Sequence, residues 1–581
     1  MDKLKNLIVF FLLINTQFIS AQQTIALDET VYLHINTTTF VTGETLFYKI
    51  YCLKSFDKSA STISKIGYVE LIDSNRKSIF KTKIKLENSN GQGEYFIPTT
   101  LKTGSYKIIG YTNWMLNKPI TEMFQTDITI INPYTANPIK KDSTTNNNKM
   151  LINQSTDYIK NPIAYTNENV KFKLDKKVFS NRELVNLKLE ASDKNFIDGN
   201  YSLSVRKIDE LTFRKTTRAV EFLTKENVLS VDLVNKEKKI ILPELRGEII
   251  SGKLIAKNNT DKVENLAVAL SIPGKSFLFQ ISKTDSGGNF IFNCNSNNYN
   301  SSVVIQIVDE HADNYVVSLD SSPEIDYSKL SFENYKPSYT QKESLLNRSI
   351  SSQIENAYFY KKTDSIVPLD FEEPFTSDFS KEYILDNYTR FNTINEIITE
   401  VTTDIYSKKI NNNFYLHVTD NSIPYQLPEA ALVLFDGLLL QNQNDLLNYN
   451  MKNVYKINVI IGRYYVGPKS FNGLISFTSF EHNFESKQSG SSILKTVILR
   501  PLHTKKYYKI NYSNPVDNER IPDFRNQLFW NPDVKLNGES NNSFYTSDLS
   551  GKFEIKLEGF SKNGQQISIE DTIEVKDFNL E

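Results

Sequence analysis

The stretch VYLHINTTTFVTGETLFYKIY, residues 31–51, decides the fold class. Val31, Leu33 and Ile35 fall on every second position, Thr42-Gly43-Glu44 supplies a turn, and Leu46, Tyr48 and Ile50 alternate again. A period of two places those side chains on one face of a strand, so the stretch predicts a β-hairpin. Further alternating runs at 68–72, 79–86 and 106–111 are separated by Ser-Asn and Thr-Gly turn signals. That rhythm predicts an antiparallel β-sandwich over residues 24–132.

Residues 133–164 are rich in Asn, Thr, Lys and Pro and read as a polar linker, because such a segment buries too little apolar surface to fold. Strands resume with Val185, Leu187 and Leu189, then Tyr201, Leu203 and Val205, giving a second β-sandwich-like module at 165–243. A third sandwich, 244–322, carries Ile249, Val268, Leu270, Phe277 and Phe279, with Asp285-Ser286-Gly287-Gly288 as a tight turn before Phe290 and Phe292. The period changes in the helical or linker segment 323–382, where Leu346, Ile350, Ile354, Ala357 and Tyr358 recur at helical spacing. In residues 383–485 Ile394, Ile397, Ile398, Val401 and Ile405 do the same, opened by a Thr393–Glu396 capping box. Strands at 432–435, 438–440, 457–461 and 474–477, with an Asp436-Gly437 turn, complete a compact α+β unit. Residues 486–581 return to short strands and read as a C-terminal β domain. The predicted class is mainly β: tandem antiparallel β-sandwiches plus one small α+β domain.

The first 21 residues have the pattern of a secretory signal peptide: Lys3 and Lys5, an apolar run at 7–14, then small Ser20 and Ala21. Asn15, Thr16 and Gln17 end the run short of the roughly 20 apolar residues a spanning helix needs, and no later segment supplies them. The expected location is therefore the periplasm or the outer membrane and cell surface. Cleavage leaves 560 of the 581 residues (581 minus 21), enough for about 4 or 5 domains. The net charge of −1, from 67 Lys plus Arg against 68 Asp plus Glu, offers nucleic acid or an anionic membrane no attracting field. The 31 Tyr and 36 Phe suit half-buried pleated surfaces. Cys52 and Cys294 stand in separate predicted domains, which excludes a disulfide framework, and each reads as a small buried thiol.

Several stretches also carry resemblances. Residues 31–51 resemble the opening macroglobulin-like domain of large exported proteins from Bacteroidota. RGEIISGKLIAKNN (246–259) with TDSGGNFIF (284–292) is similar to the carboxypeptidase-regulatory-like sandwich, an accessory module rather than a peptidase. YILDNYTRFNTINEIITEV, ALVLFDGLLL and YYVGPKSFNGLISFTSF, all within 383–480, resemble the plug domain of TonB-dependent receptors; residues 520–564 resemble the tail of the same group. A receptor plug normally sits in a barrel of some 22 strands. Only 103 residues follow Thr478 (581 minus 478), while such a barrel takes on the order of 200 in its strands alone. The resemblance therefore implies that any barrel is a partner, either an outer-membrane barrel or another envelope protein.

Catalytic chemistry finds no motif. The histidines are His34, His311, His417, His482 and His503, and only His482 and Glu485 (HNFE) have ligand-like spacing, without a third ligand. HExxH, G-x-S-x-G, a phosphate-cradling GxxxxGK followed by Ser or Thr, and a thioester-type GCGEQ are absent (GEIISGK at 247–253 is followed by Leu254), as is a basic stripe interleaved with aromatics. Asp370, Glu372 and Glu373 lie between Pro368 and Pro374 and read as a solvated loop. No catalytic, cofactor-binding or metal-ligating residue is assigned. The candidate interaction surface is Asp436, Gly437, Tyr464, Tyr465, Phe471 and Trp530, with Phe544 and Tyr545 as further aromatics; Asp436-Gly437 is first of all a turn. The function expected is a non-enzymatic cell-envelope scaffold that binds an outer-membrane partner through the plug-like unit. The rival is a surface adhesin or glycan-binding protein using Trp530 or Tyr464, and the third reading is a hydrolase without a recognisable motif.

Overall fold

The computed structural model of the chain describes residues 28–577 apart from 136–165, 212–215, 223–239, 296–297, 334, 336–338, 369–374, 376–377, 421–428, 514–520 and 537–539. The signal peptide, nearly all of the linker, and Asp370, Glu372 and Glu373 lie outside the described residues. What is described is mainly β, as predicted, with several sheets stacked in sandwiches.

The first sandwich forms where residues 31–51 require it. Strands Glu29–Ile35 and Thr45–Lys54 pair antiparallel, with Val31 opposite Cys52 and Leu33 opposite Ile50. They are not joined by a simple hairpin turn, because Thr39–Val41 crosses to the facing sheet and pairs parallel with residues 129–131. A three-stranded and a five-stranded sheet thus enclose Val31, Leu33, Tyr48, Ile50, Val69, Ile108 and Ile130. Burial of each such side chain contributes about 1.5–3 kcal/mol.

The second sandwich departs from expectation. Its five-stranded sheet has the order Val178–Ser180, Gln566–Lys576, Gly551–Ser561, Gly199–Lys207 and Gln527–Val534, and its three-stranded sheet the order Ser540–Tyr545, Leu184–Ala191 and Val170–Leu174. Strands expected in separate domains, 165–243 and 486–581, therefore share one core, in which Val185, Leu187, Leu203 and Val205 pack with Phe553, Ile555, Leu557 and Ile569. The physical reason is strand supply: the four strands before residue 208 leave Tyr201, Leu203 and Val205 without a covered sheet until the C-terminal hairpin pairs with them. The third sandwich borrows in the same way, taking Ile493–Val497 as the edge of its four-stranded sheet beside Ser302–Ile307.

In the α+β unit, Leu432–Phe435 runs parallel to Lys469–Ser479, which pairs antiparallel with Val454–Val466. The Asp436-Gly437 turn closes Phe435 onto Leu438 with both central residues at positive φ (47° and 84°), the geometry of a two-residue hairpin turn. Over one face lies a short helix, Ile394–Glu400, opened by the Thr393–Glu396 capping box. The other face packs on the third sandwich through Leu432, Leu434, Ile460 and Leu474 against Ala267, Ala269 and Ile281.

The helix α1, Lys342–Ala357, has the predicted period but the opposite orientation. An apolar stripe ordinarily faces the core. Here Leu346 and Ile350 are 57 % and 42 % exposed, while Ser344, Arg348, Ser349, Ser351 and Ser352 are buried. The cause is Arg348, whose guanidinium grips the Glu44 carboxylate and donates to the Thr39 carbonyl at 2.8 Å, with Asp209 at 3.7 Å. An arginine committed to acceptors on two sandwiches fixes which side of the helix is inward.

Candidate functional site

Several passes of the chain converge beside α1. Residues 43–47 of the first sandwich, residues 351–362 at the end of α1, residues 507–510, and residues 524–530 with Phe544 and Tyr545 of the second sandwich line a cleft of about 250 Å³. Its walls are aromatic. Phe47 stacks on Trp530 at 5.9 Å between ring centroids and meets the edge of Tyr507 at 5.1 Å. Phe529 stacks on Phe544 at 5.4 Å, and the Lys509 ammonium lies 4.9 Å from the Phe529 centroid. Phe359, 61 % exposed, and Tyr508 stand among its lining residues.

The charges around the cleft are largely spent on one another. Glu44 accepts from Arg206 at 3.1 Å and from Arg348; burial raises its pKa, and the two guanidinium charges more than reverse this, leaving it below the usual range. Lys362 bonds Glu355 at 2.7 Å and lies 3.9 Å from Asp523, which Arg525 holds at 2.7 Å. Glu94 pairs with Lys505, which is 3.9 Å from Asp364. The Tyr507 hydroxyl is pushed well up, by burial first and then by Glu94. Exposed Lys509 makes no ion pair among the described residues, and burial together with the like charge of Lys506 lowers its pKa.

Of the six residues expected on an interaction surface, only Trp530 lines this cleft, at 5 % exposure, so its ring face is not an open platform. The other five lie on the α+β unit and do not form one surface. Asp436 is 2 % exposed and staples the unit, accepting from the Ser479 N–H at 2.7 Å, the Ser479 hydroxyl at 2.6 Å and the Phe484 N–H at 3.1 Å. Gly437 is buried where a Cβ would strike Phe277. Tyr464 is buried and Phe471 half-buried against the third sandwich. Tyr465 alone is open, at 64 %. Phe544 and Tyr545 do line the cleft; Phe47, Tyr507 and Lys509 were missed, and the run Lys505-Lys506-Tyr507-Tyr508-Lys509 is the signal that marks them.

A serine–histidine pair also escaped sequence reasoning. His34 Nδ1 lies 2.6 Å from the Ser202 hydroxyl, which is 2.8 Å from the Tyr51 hydroxyl. Both partners are buried where the first sandwich meets the second, and burial, then Lys556, pushes the imidazole well below its usual pKa. The pair therefore acts as a neutral polar joint. Cys52 and Cys294 are free, buried thiols, the latter pushed up to about 12 by burial and by Glu248, which makes both poor nucleophiles. Among the described residues no group of three or more His, Cys, Asp or Glu side chains could hold a metal ion, and no helix is long and apolar enough to cross a membrane.

No protein-family model and no curated protein matches the chain. Among solved structures, it is similar to Salmonella alpha-2-macroglobulin reacted with methylamine (9 % identity, TM-score 0.23, 95 % of this chain and 40 % of that one). Escherichia coli alpha-2-macroglobulin activated by porcine elastase gives 8 %, 0.23, 95 % and 44 %, and dimeric latent PorU from Porphyromonas gingivalis 8 %, 0.16, 50 % and 33 %. The chain thus spans less than half the length of each, and what it does has to be argued from its own surfaces.

Proposed function

We propose that this protein is a non-enzymatic, exported scaffold of the cell envelope that holds an outer-membrane barrel protein against its α+β unit. One observation carries the reading: the part of that unit's surface not covered by the third sandwich displays a clustered aromatic–arginine patch. Phe480, 48 % exposed, lies 5.7 Å from the ring of Tyr455, and the Arg390 guanidinium sits 5.1 Å from the Phe480 centroid. Tyrosine and arginine anchor protein interfaces out of proportion to their number, because they combine apolar area with directed hydrogen bonds.

The rest of the molecule supports a holding role. Its buried charges serve as joints between modules. Glu248 of the third sandwich bonds Lys83 of the first at 2.7 Å and Arg500 at 2.6 Å. The α+β unit is tied to the third sandwich by Gln306 Nε2 donating to the Leu439 carbonyl at 2.9 Å and by the Gly274 N–H donating to the Asp436 carbonyl at 3.0 Å. The signal-like first 21 residues and the plug resemblance of 383–480 supply the compartment and the partner class. Glycan stacking on Trp530 or Tyr464 is disfavoured by the burial of both rings.

Affinity purification of the tagged full chain from envelope membranes tests this. An outer-membrane barrel protein should be recovered with the unaltered protein and lost, about tenfold or more, with F480A/R390A, since one anchor residue is worth roughly 2 kcal/mol. Equal recovery with that variant, or no barrel protein at all, refutes the proposal.

A further inference from the structure

The cleft between the first and second sandwiches is lined by four carboxylates and four cations, but their pairing is uneven. Each carboxylate in its lining has a cation or backbone donor: Glu44 has Arg206 and Arg348, Glu94 has Lys505, Glu355 has Lys362, and Asp364 accepts from the Tyr508 N–H at 2.8 Å. Arg525 is taken by Asp523. Lys509 remains, exposed and over the Phe529 ring, and among the described residues neither it nor Lys506 near it makes an ion pair. An apolar pocket whose one cation without an acidic partner among the described residues is Lys509 complements an apolar anion at that point, whereas each of its carboxylates is already answered by a donor.

Size narrows the class. About 250 Å³ lies just below the roughly 300–1,000 Å³ of sites for drug-sized ligands. The space suits one ring-sized group, and the rings of Phe47, Tyr507 and Phe529 give it an apolar lining. The aromatic walls come from both sandwiches, Phe47 from one and Phe529, Trp530 and Phe544 from the other, so a ligand here contacts the joint as well as a surface.

We infer that this cleft is a binding site for an aromatic carboxylate, the ring lodging against Phe47 and Tyr507, with Trp530 beneath Phe47, and the carboxylate pairing with Lys509. The chemistry is shared by a small free acid and by the last residue of a polypeptide ending in Phe, Tyr or Trp. The inference rests on the reading of the protein as a binding scaffold, but it concerns a site separate from the Phe480 patch.

The test uses the full chain and the fluorescence of Trp530, with Trp114, the other tryptophan, replaced in W114F; calorimetric titration of the unaltered protein repeats each comparison. The probes are 3-phenylpropionate, 3-phenylpropionamide, phenethylammonium, and Gly-Gly-Phe with a free or an amidated carboxyl end. Saturable binding of the free acids is expected, about 3- to 5-fold tighter than of the matching amides, the upper range for one exposed ion pair. K509A should erase that preference and K509R keep it. Tighter binding of free Gly-Gly-Phe than of phenylpropionate assigns the source to a chain end, and the reverse order to a small acid; either supports the site. Equal affinity for acid and amide, preference for the cation, an unaltered preference in K509A, or no binding of any probe overturns it. Barrel recovery from membranes depends on Phe480 and Arg390 and should survive K509A, so failure of the cleft and failure of the scaffold reading are separately visible.

Discussion

The first sandwich is made from one continuous stretch, 28–135, while the second is closed by strands from 166–211 and 527–577, with more than three hundred residues between them. Both have the same alternating strands and fully buried cores. The difference lies in what each core depends on. The first can lose its neighbours and still have all its strands, whereas the second exists only if the two ends of a long insertion come together. The third sandwich and the α+β unit are thereby held at both ends. Under the scaffold role proposed above, such closure would convert a string of modules into a stiff arm.

The largest predicted effect breaks that contrast directly. Leu557→Ala removes a fully buried side chain contributed by the C-terminal stretch and should cost about 4 kcal/mol. Hydrogen exchange should then show lost protection in 170–207 as well as 527–576, whereas Ile108→Ala in the first sandwich should loosen only 28–135. Loss confined to 527–576 in L557A would show that the two stretches do not share a core.

The joint between the two sandwiches is the next target. Arg348→Met takes from buried Glu44 one of its two arginines and from the Thr39 carbonyl its guanidinium donor, and should cost about 2–3 kcal/mol, since hydrogen bonds to charged groups contribute about 1.5–3 kcal/mol. Chemical denaturation checks it; a loss under 1 kcal/mol would mean that α1 is not a joint.

How much of this was legible beforehand follows from the same comparison. Val185, Leu187, Leu189, Tyr201, Leu203 and Val205 announced strands by their period, and all are fully buried. Period says which side chains share a face but not which strand lies alongside, so the partner strands 540–545 and 551–561 could not be assigned. The period of Leu346, Ile350 and Ile354 specifies a helix, yet its orientation depends on Glu44, some three hundred residues away. Trp530, Phe544 and Tyr545 stand out in the sequence as aromatics; that they meet Phe47, Tyr507 and Lys509 is a product of tertiary closure alone. On the α+β unit, the Asp436-Gly437 turn and the Thr393 cap were readable because both are local.

A pH experiment sharpens the contrast at the junction of the first and third sandwiches. Glu244 is fully buried, accepts from the Tyr68 hydroxyl at 3.0 Å and from the Ile249 N–H at 3.1 Å, and is raised to about 7, by burial first, with Lys83 opposing and Glu248 adding. Its folded pKa lies above its unfolded value, so the native state holds the extra proton between them. Stability should therefore fall as pH rises from about 4.5 to about 7 and level off above, a change of about 2–3 kcal/mol. E244Q should flatten that window; an unchanged slope contradicts the assignment. At the other extreme, Lys173→Ala breaks an exposed 2.9 Å pair with Glu190 within the second sandwich and should cost no more than about 0.5 kcal/mol by the same denaturation measurement.

The closure of the second sandwich can be caught covalently. Asn186 and Ser543 are exposed, stand opposite each other on neighbouring antiparallel strands, and come from the two distant stretches. Opposed residues of such a pair have Cα atoms about 4.5–5.5 Å apart, within disulfide reach. In the double variant N186C/S543C, mild oxidation should give a monomeric species of faster non-reducing mobility, with residues 186 and 543 linked in its peptide map. Absence of that link while the protein stays folded, or a link formed only between two molecules, would contradict a sandwich built from both ends of the insertion.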